Sequence, residues 1–291
     1  MSILKNPRLA IIIAMASFGT LAIFVRNISV TSGELALYRA VLAILMLSGY
    51  FLLTRQSIQL SAIKKELPLL LLSGVAMGFN WILLFQAYKY TTVSVATLSY
   101  YFAPVIVTAV CPFLFKEKLT PKQILCFVMS TLGLVLVIGI TDLASGAGTD
   151  HIGVLFGLGA AVLYATVVLL NKFIQGVAGI QRTFLQFLAA AIVLIPYVAA
   201  TSGFHLETMD GKGWLCLLVV GLFHTGVCYC LYFTALKDLS GQEASILSYV
   251  DPLVAVMLSV AVLGEPLGWM QALGGALILG FTLWNELPEK K

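Results

Sequence analysis

The chain has 291 residues, of which 60% are hydrophobic and only 10% charged, and its mean hydropathy is +1.01. So little polar side chain cannot cover a soluble globule, and the composition predicts an integral membrane protein. The net charge of +4 comes from lysines and arginines scattered in short gaps between apolar runs, which leaves no basic patch for nucleic acid.

A helix needs about twenty apolar residues to cross the hydrocarbon core, and ten such stretches follow one another. They run from Leu9 to Val25, Glu34 to Leu53, Pro68 to Tyr88, Thr92 to Phe115, Thr120 to Ile140, Ile152 to Asn171, Thr183 to Ala200, Gly213 to Leu236, Glu243 to Leu263 and Leu267 to Glu286. The first, preceded by Lys5 and Arg8, has the flanks of a signal peptide. No A-x-A-like cleavage site leads into a soluble body, so it reads as a retained span. The one longer polar connector, TDLASGAGTDH from Thr141 to His151, divides the chain into 1–141 and 152–291, with 142–151 as the linker. Cys111, Cys126, Cys216, Cys228 and Cys230 all fall in apolar stretches without metal-ligand spacing, and are expected to be free, packed thiols.

Loop charge sets the orientation, because cytoplasmic loops are enriched in lysine and arginine. With the N-terminus inside, the inner segments hold Lys5, Arg8, Arg55, Lys64, Lys65, Lys116, Lys118, Lys122, Lys172, Arg182, Lys237, Lys290 and Lys291, thirteen in all. The outer ones hold only Arg26, Lys89 and Lys212. Both termini are therefore expected in the cytoplasm of a bacterial-type inner membrane.

The segment from Ala87 to Gln123 aligns without a gap on Ala235 to Gln271, at an offset of 148. Eight pairs are identical: Ala87/Ala235, Lys89/Lys237, Ala96/Ala244, Tyr101/Tyr249, Pro104/Pro252, Glu117/Glu265, Leu119/Leu267 and Gln123/Gln271. Chance would give about three, so a duplication is the better reading. Weaker matches extend it upstream, with Gly78/Gly226, Leu83/Leu231 and Phe85/Phe233 at the same offset, and with Ala16/Ala161 and Arg26/Asn171 at 145. Each half has five spans, an odd number, so the second copy enters the membrane upside down, as in many secondary transporters. The turn KEKLTPK of the first copy is rich in lysine, whereas its counterpart GEPLGWM has none, as opposite orientations require. The expected fold is all-α, with ten transmembrane helices forming two inverted five-helix repeats.

The paired tails SYYFAPVIVTAVCPFLFKEKLT and SYVDPLVAVMLSVAVLGEPLG, each with a mid-membrane proline and an apolar-x-Glu turn, and Tyr38-Arg39-Ala40 early in span two carry a resemblance to a known family. The chain resembles the drug/metabolite transporter superfamily, specifically its ten-span EamA-type members. That resemblance implies two inverted five-helix repeats around a central cavity that opens alternately to either side, and export of amino acids or other small metabolites. The second copy departs from the pattern in carrying Asp251 where the first has Ala103.

Polar groups at membrane depth are costly, and facing a watery path is the commonest functional reason for them. Thr97 and Tyr101 share a helical face, as do their equivalents Ser245 and Tyr249, so these four are expected to line a substrate path. Pro104 and Pro252 are expected to bend their helices there, each freeing a carbonyl one turn earlier. Asn80 and Trp81 in span three, and Tyr229 in span eight, join the substrate-binding candidates. Trp81, Tyr100, Tyr101, Tyr229 and Tyr249 together would make an aromatic box for a cationic or aromatic substrate.

Asp251, His224 and Arg39 are the candidates for coupling or charge recognition. Asp251 has the chemistry to exchange protons, to hold a substrate ammonium, or to pair with Arg39. Arg39, about one turn into span two, has two readings: a side chain snorkelling to the outer interface, or a gate or carboxylate clamp. His224 reads either as hydrogen-bonded packing or as a proton relay. Gly153, Gly157 and Ala161 make a small-xxx-small packing face, and Gly275 permits close contact in span ten.

The function expected is gradient-driven export of a small metabolite, an amino acid, amine or similar, with protons as the candidate coupling ion. Proton-coupled uptake by the same fold is the alternative. A phosphate-binding G-x-x-x-x-G-K-[ST] loop is absent from the sequence, so ATP hydrolysis within this chain is not the drive. The interfacial loops are short and poor in carboxylates and histidines, which disfavours a membrane enzyme. No cofactor or metal is called for; the partners are the substrate and the lipid bilayer, and the oligomeric state, monomer or homodimer, stays open.

Overall fold

The computed structural model describes residues 6–55, 64–115, 119–138, 150–174, 176–177, 179–235, 238–239 and 241–287. The described residues fold as helices: α1 (Pro7–Gly19), α2 (Leu21–Val25), α3 (Ser32–Thr54), α4 (Leu67–Tyr90), α5 (Val93–Tyr100), α6 (Ala103–Phe115), α7 (Pro121–Ile138), α8 (Asp150–Phe173) and α9 (Gly179–Thr201). Then come α10 (Gly211–Leu218), a π-helical turn (Val219–Val227), α11 (Cys228–Ala235), α12 (Gly241–Ser248), α13 (Val250–Ala261) and α14 (Trp269–Glu286). Most of the linker and the KEKLTPK turn at 116–118 lie outside the described residues.

Seven of the ten expected crossings are long and apolar enough to span a bilayer: 7–25, 32–54, 67–90, 93–111, 150–173, 179–201 and 211–235. The fifth and ninth are covered by the shorter apolar helices Pro121–Val137 and Ile246–Ala261. The tenth is the 18-residue α14, whose ends carry the polar Gln271, Asn285 and Glu286.

Four of these segments are not continuous α-helix. The α1/α2 segment breaks at Thr20, α5/α6 at Tyr101 and Phe102, and α12/α13 at Tyr249, while α10 runs through the π-turn into α11. Pro104 and Pro252 explain two of the breaks in a way bending alone does not: each stands in the first turn of a new helix. A proline is tolerated there because the N–H it lacks would have no helical acceptor. The prolines therefore start helices, three residues after the chain has left the previous one.

Contacts fix the direction of neighbouring helices. α5 and α13 run antiparallel, since Ser94 N donates to Ser259 Oγ and, seven residues on, Tyr101 reaches back to Asp251. α4 and α8 run antiparallel as well, Ser73 meeting Asn171 and Asn80 meeting Ala160. Small residues permit the closest crossings. A Cβ on Gly274 would lie 2.4 Å from Gly133 O, and one on Gly133 2.6 Å from Gly274 O, so α7 and α14 touch backbone to backbone. The small face of α8 behaves as its sequence suggests: a Cβ on Gly153 would meet Thr91 at 2.4 Å and one on Gly157 would meet Ser99 at 2.9 Å. Gly275 in turn takes Leu98. All five cysteines are free.

Gly274→Val is expected to cost about 1–3 kcal/mol through overpacking, seen as a lower melting temperature of the purified protein. Gly280→Ala, on an exposed position with nothing within 4 Å of the new methyl, is expected to leave melting unchanged or raise it slightly, because alanine is the better helix former.

Candidate functional site

The helix breaks bring the candidate residues together. Tyr101, at the α5/α6 break, donates its hydroxyl to Asp251 Oδ2 at 2.7 Å. Its ring lies 6.4 Å from that of Tyr249 at the α12/α13 break and 5.7 Å from that of Tyr100, which in turn lies 5.5 Å from Tyr164 of α8. A Cβ on Gly19, beside the α1/α2 break, would lie 2.7 Å from the Asp251 carbonyl oxygen. Asp251 itself is half-buried, so its carboxyl is held inside the bundle without being sealed off.

Arg39 forms the second charged point. It is 3% exposed and does not snorkel to an interface. The guanidinium lies 4.4 Å from the Trp81 ring centroid and 5.4 Å from that of Phe85, and Nε donates to Thr225 Oγ1 at 3.0 Å. Thr225 passes its own proton to Val220 O, five residues back along the π-turn. Arg39 and Asp251 do not pair with each other, and among the described residues Arg39 has no carboxylate partner. Tyr88 and Tyr229 lie within electrostatic range of both groups.

The remaining candidates divide between these groups and the packing around them. Asn80 is 2% exposed and spends its amide on Ala160 O at 2.6 Å, locking α4 to α8. Trp81 already offers one face to Arg39 and reaches Tyr229 only through Phe187, with ring separations of 5.3 and 5.4 Å. The five-membered aromatic box is therefore two groups, the tyrosines at 100, 101 and 249 and the Trp81 group around Arg39. Thr97 is buried near Tyr88, and Tyr249 lies near Thr282 of α14. The side chain of Ser245 lies outside the described residues. His224 is fully buried, with Nε2 2.8 Å from Thr20 Oγ1 and Nδ1 3.2 Å from Val219 O.

A further cluster, not singled out in the sequence, closes the end of the bundle that carries the α1/α2 C-terminus. Glu265, 8% exposed, forms an ion pair with Arg26 Nη1 and accepts from Val93 N at 2.8 Å and from Ser259 Oγ. Arg26 Nη2 donates to Tyr88 O and Thr91 O at 3.1 and 3.0 Å. Four of these links join the end of α2, the α4/α5 connection and the turn before α14, and the Ser259 bond ties that turn to α13. Nearby, the buried Glu34 caps α3 by accepting from Thr31 and also accepts from Tyr38 and the His205 backbone. At the opposite end Asn171, matched to Arg26 in the sequence, accepts at Oδ1 from Gln186 Nε2 at 2.8 Å, which also donates to Ser73 Oγ, and at its carbonyl from Arg182 Nη1 at 3.2 Å. The signal for Glu265 was present in the duplication as the Glu117/Glu265 identity.

The sequence model of the EamA-like transporter family matches residues 7–139 and again residues 151–285. The chain belongs to this family. Curated relatives carry transporter names without a substrate. An uncharacterized transporter of Bacillus subtilis, YxxF, is 31% identical over 92% of this chain and 85% of its own. One of Clostridium kluyveri is 26% identical over 86% and 84%, and one of Archaeoglobus fulgidus 27% over 95% and 96%. A solved crystal structure shares the fold with a TM-score of 0.63, at 19% identity over 95% of each chain. The EamA-family protein is accordingly a transporter with several membrane-crossing helices.

Loss of Arg26 alone is expected to destabilise the protein by about 3 kcal/mol, because it strands a buried carboxylate. With Glu265→Gln already in place, Arg26→Gln should cost markedly less, leaving a coupling of about 1–3 kcal/mol in a double-mutant cycle followed by unfolding in detergent.

Proposed function

We propose that the protein is a ten-span secondary carrier, two inverted five-helix repeats around a central path, that moves a small metabolite such as an amino acid or amine across the cytoplasmic membrane by alternating access, in the export direction, with both termini in the cytoplasm. The repeat reading draws support from the twofold match of one family model and from helix neighbours. With crossings numbered in chain order, α3 packs on the π-turn of the eighth as α9 packs on α4, α1 packs on α11 as α8 packs on α4, and α1 packs on α13 as α8 packs on α5 and α6. Each is the same pair of crossings advanced by five. α5 and α13, which belong to the matched fourth and ninth crossings, run antiparallel, as inversion demands. Loop charges carry the orientation.

The observation that carries the chemistry is the pair of ionisable groups, Arg39 and Asp251, which do not bond each other and have tyrosines near both. Isolated charges inside a membrane protein are expensive and mark substrate or ion routes. An arginine offers planar recognition of a carboxylate, and a carboxylate among tyrosine rings offers an ammonium both charge and π-faces. A small dipolar solute satisfies the two together, and an amine satisfies Asp251 alone.

A thermal-shift screen of the purified protein against amino acids, amines and nucleosides at two pH values identifies the ligand. Its stabilisation is expected to vanish in Asp251→Asn and to weaken in Tyr101→Phe. In proteoliposomes loaded with that ligand, Asp251→Asn is expected to lose most flux; full-rate transport with unaltered pH dependence would overturn the role assigned to the carboxylate.

A further inference from the structure

His224 lies apart from the two charges of the proposed path, and its surroundings pose a problem of proton number. Three close contacts run in a line: Val219 O to Nδ1 at 3.2 Å, Nε2 to Thr20 Oγ1 at 2.8 Å, and Thr20 Oγ1 to Ser17 O at 2.7 Å. Both ends are backbone carbonyls, which only accept. Three hydrogen bonds require three protons, and the threonine hydroxyl supplies one. A neutral imidazole supplies one more, whichever tautomer it adopts, and leaves one contact with two lone pairs facing each other. Only the imidazolium, with a proton on each nitrogen, fills all three.

We propose that His224 is a proton-binding site of the transport cycle, whose protonation fastens the α1/α2 break to the π-turn and whose deprotonation releases one link of that line. The proposal rests on the carrier reading and names its coupling ion. The elements joined are the irregular ones. Thr20 is the residue between α1 and α2, and its neighbour Gly19 rests on the carbonyl of Asp251. His224 stands on the turn whose next residue, Thr225, holds Arg39. Gain or loss of one proton at the ring therefore acts on a segment that touches the Asp251 turn. The ring is enclosed by Phe24 and Phe223, with centroids at 5.1 and 5.3 Å. Of the groups around it, α1 contributes Ser17, the break contributes Thr20 and α2 contributes Phe24, while the thiol of Cys228 from α11 lies near Ser17. The charge that bears on it is Arg39 from α3, of the same sign as the imidazolium.

The test is nitrogen NMR of the full chain, labelled with 15N-histidine and held in lipid nanodiscs. The chain has three histidines, and His224→Gln assigns the signal. Both ring nitrogens of His224 are expected to take on the imidazolium signature together as the pH is lowered from about 8 to 4. Thr20→Val, which keeps the shape but removes the oxygen acceptor, is expected to lower the midpoint by about one pH unit, and Thr20→Ser to retain it. A single neutral tautomer across that range would overturn the proposal, as would a Thr20→Val midpoint equal to wild type. The titration needs no substrate, so its failure counts against the proton site alone, whereas absence of wild-type flux for every stabilising ligand counts against the carrier reading.

Discussion

Interrupted helix is the constraint on which this architecture turns. In hydrocarbon every backbone polar group must find a partner within the protein, so non-helical backbone at membrane depth survives only where protein or an aqueous path surrounds it. Here the interruptions at Thr20, Tyr101 and Tyr249 and the π-turn at 219–227 are not scattered. Thr20 touches His224, Gly19 touches the Asp251 carbonyl, Tyr101 bonds Asp251, and Tyr101 faces Tyr249. Each irregular stretch touches another, while α3, α4, α7, α8, α9 and α14 are uninterrupted.

The same clustering explains where charge is tolerated. Asp251 belongs to the first turn of α13, immediately after a break, where a helix N-terminus favours an anion. Arg39 sits in uninterrupted helix, and its stability comes from side chains instead: the Trp81 face, the Phe85 face and a threonine whose proton is committed to the π-turn. Among the described residues neither environment contains the opposite charge.

Much of this was legible in the sequence, and what was not has a common cause. The apolar runs located the helices, and the duplication picked out Tyr101 and Tyr249, whose rings do meet. Asp251 was visible as the departure from Ala103. What periodicity could not supply was the rotation of one helix against another. Asn80 shares its helix with Trp81, yet it points to Ala160 and is packing, because side chains one residue apart occupy faces about 100° apart. Arg39 was close enough to the end of α3 to reach an interface, and only the inward position of Trp81 shows that it turns the other way. Contacts such as His224 with Thr20, 204 positions apart, and Arg26 with Glu265 arise from packing angles that no local pattern encodes. The prolines were recognised as breaks, but their place at the start of the next helix depended on where the previous helix ended.

The two ends of the molecule, finally, are closed by unlike chemistry. At one, Arg26 and Glu265 are bound to each other and to the backbone of the α4/α5 connection; at the other, Asn171 meets Gln186 and Ser73 through its side chain and Arg182 through its carbonyl. Charged links of this kind are about twice as strong as neutral ones, and parting them exposes ions that water must then reach. In the carrier proposed above, the two ends would part at unequal cost, and every 1.4 kcal/mol of difference would be about a tenfold preference for one resting pose.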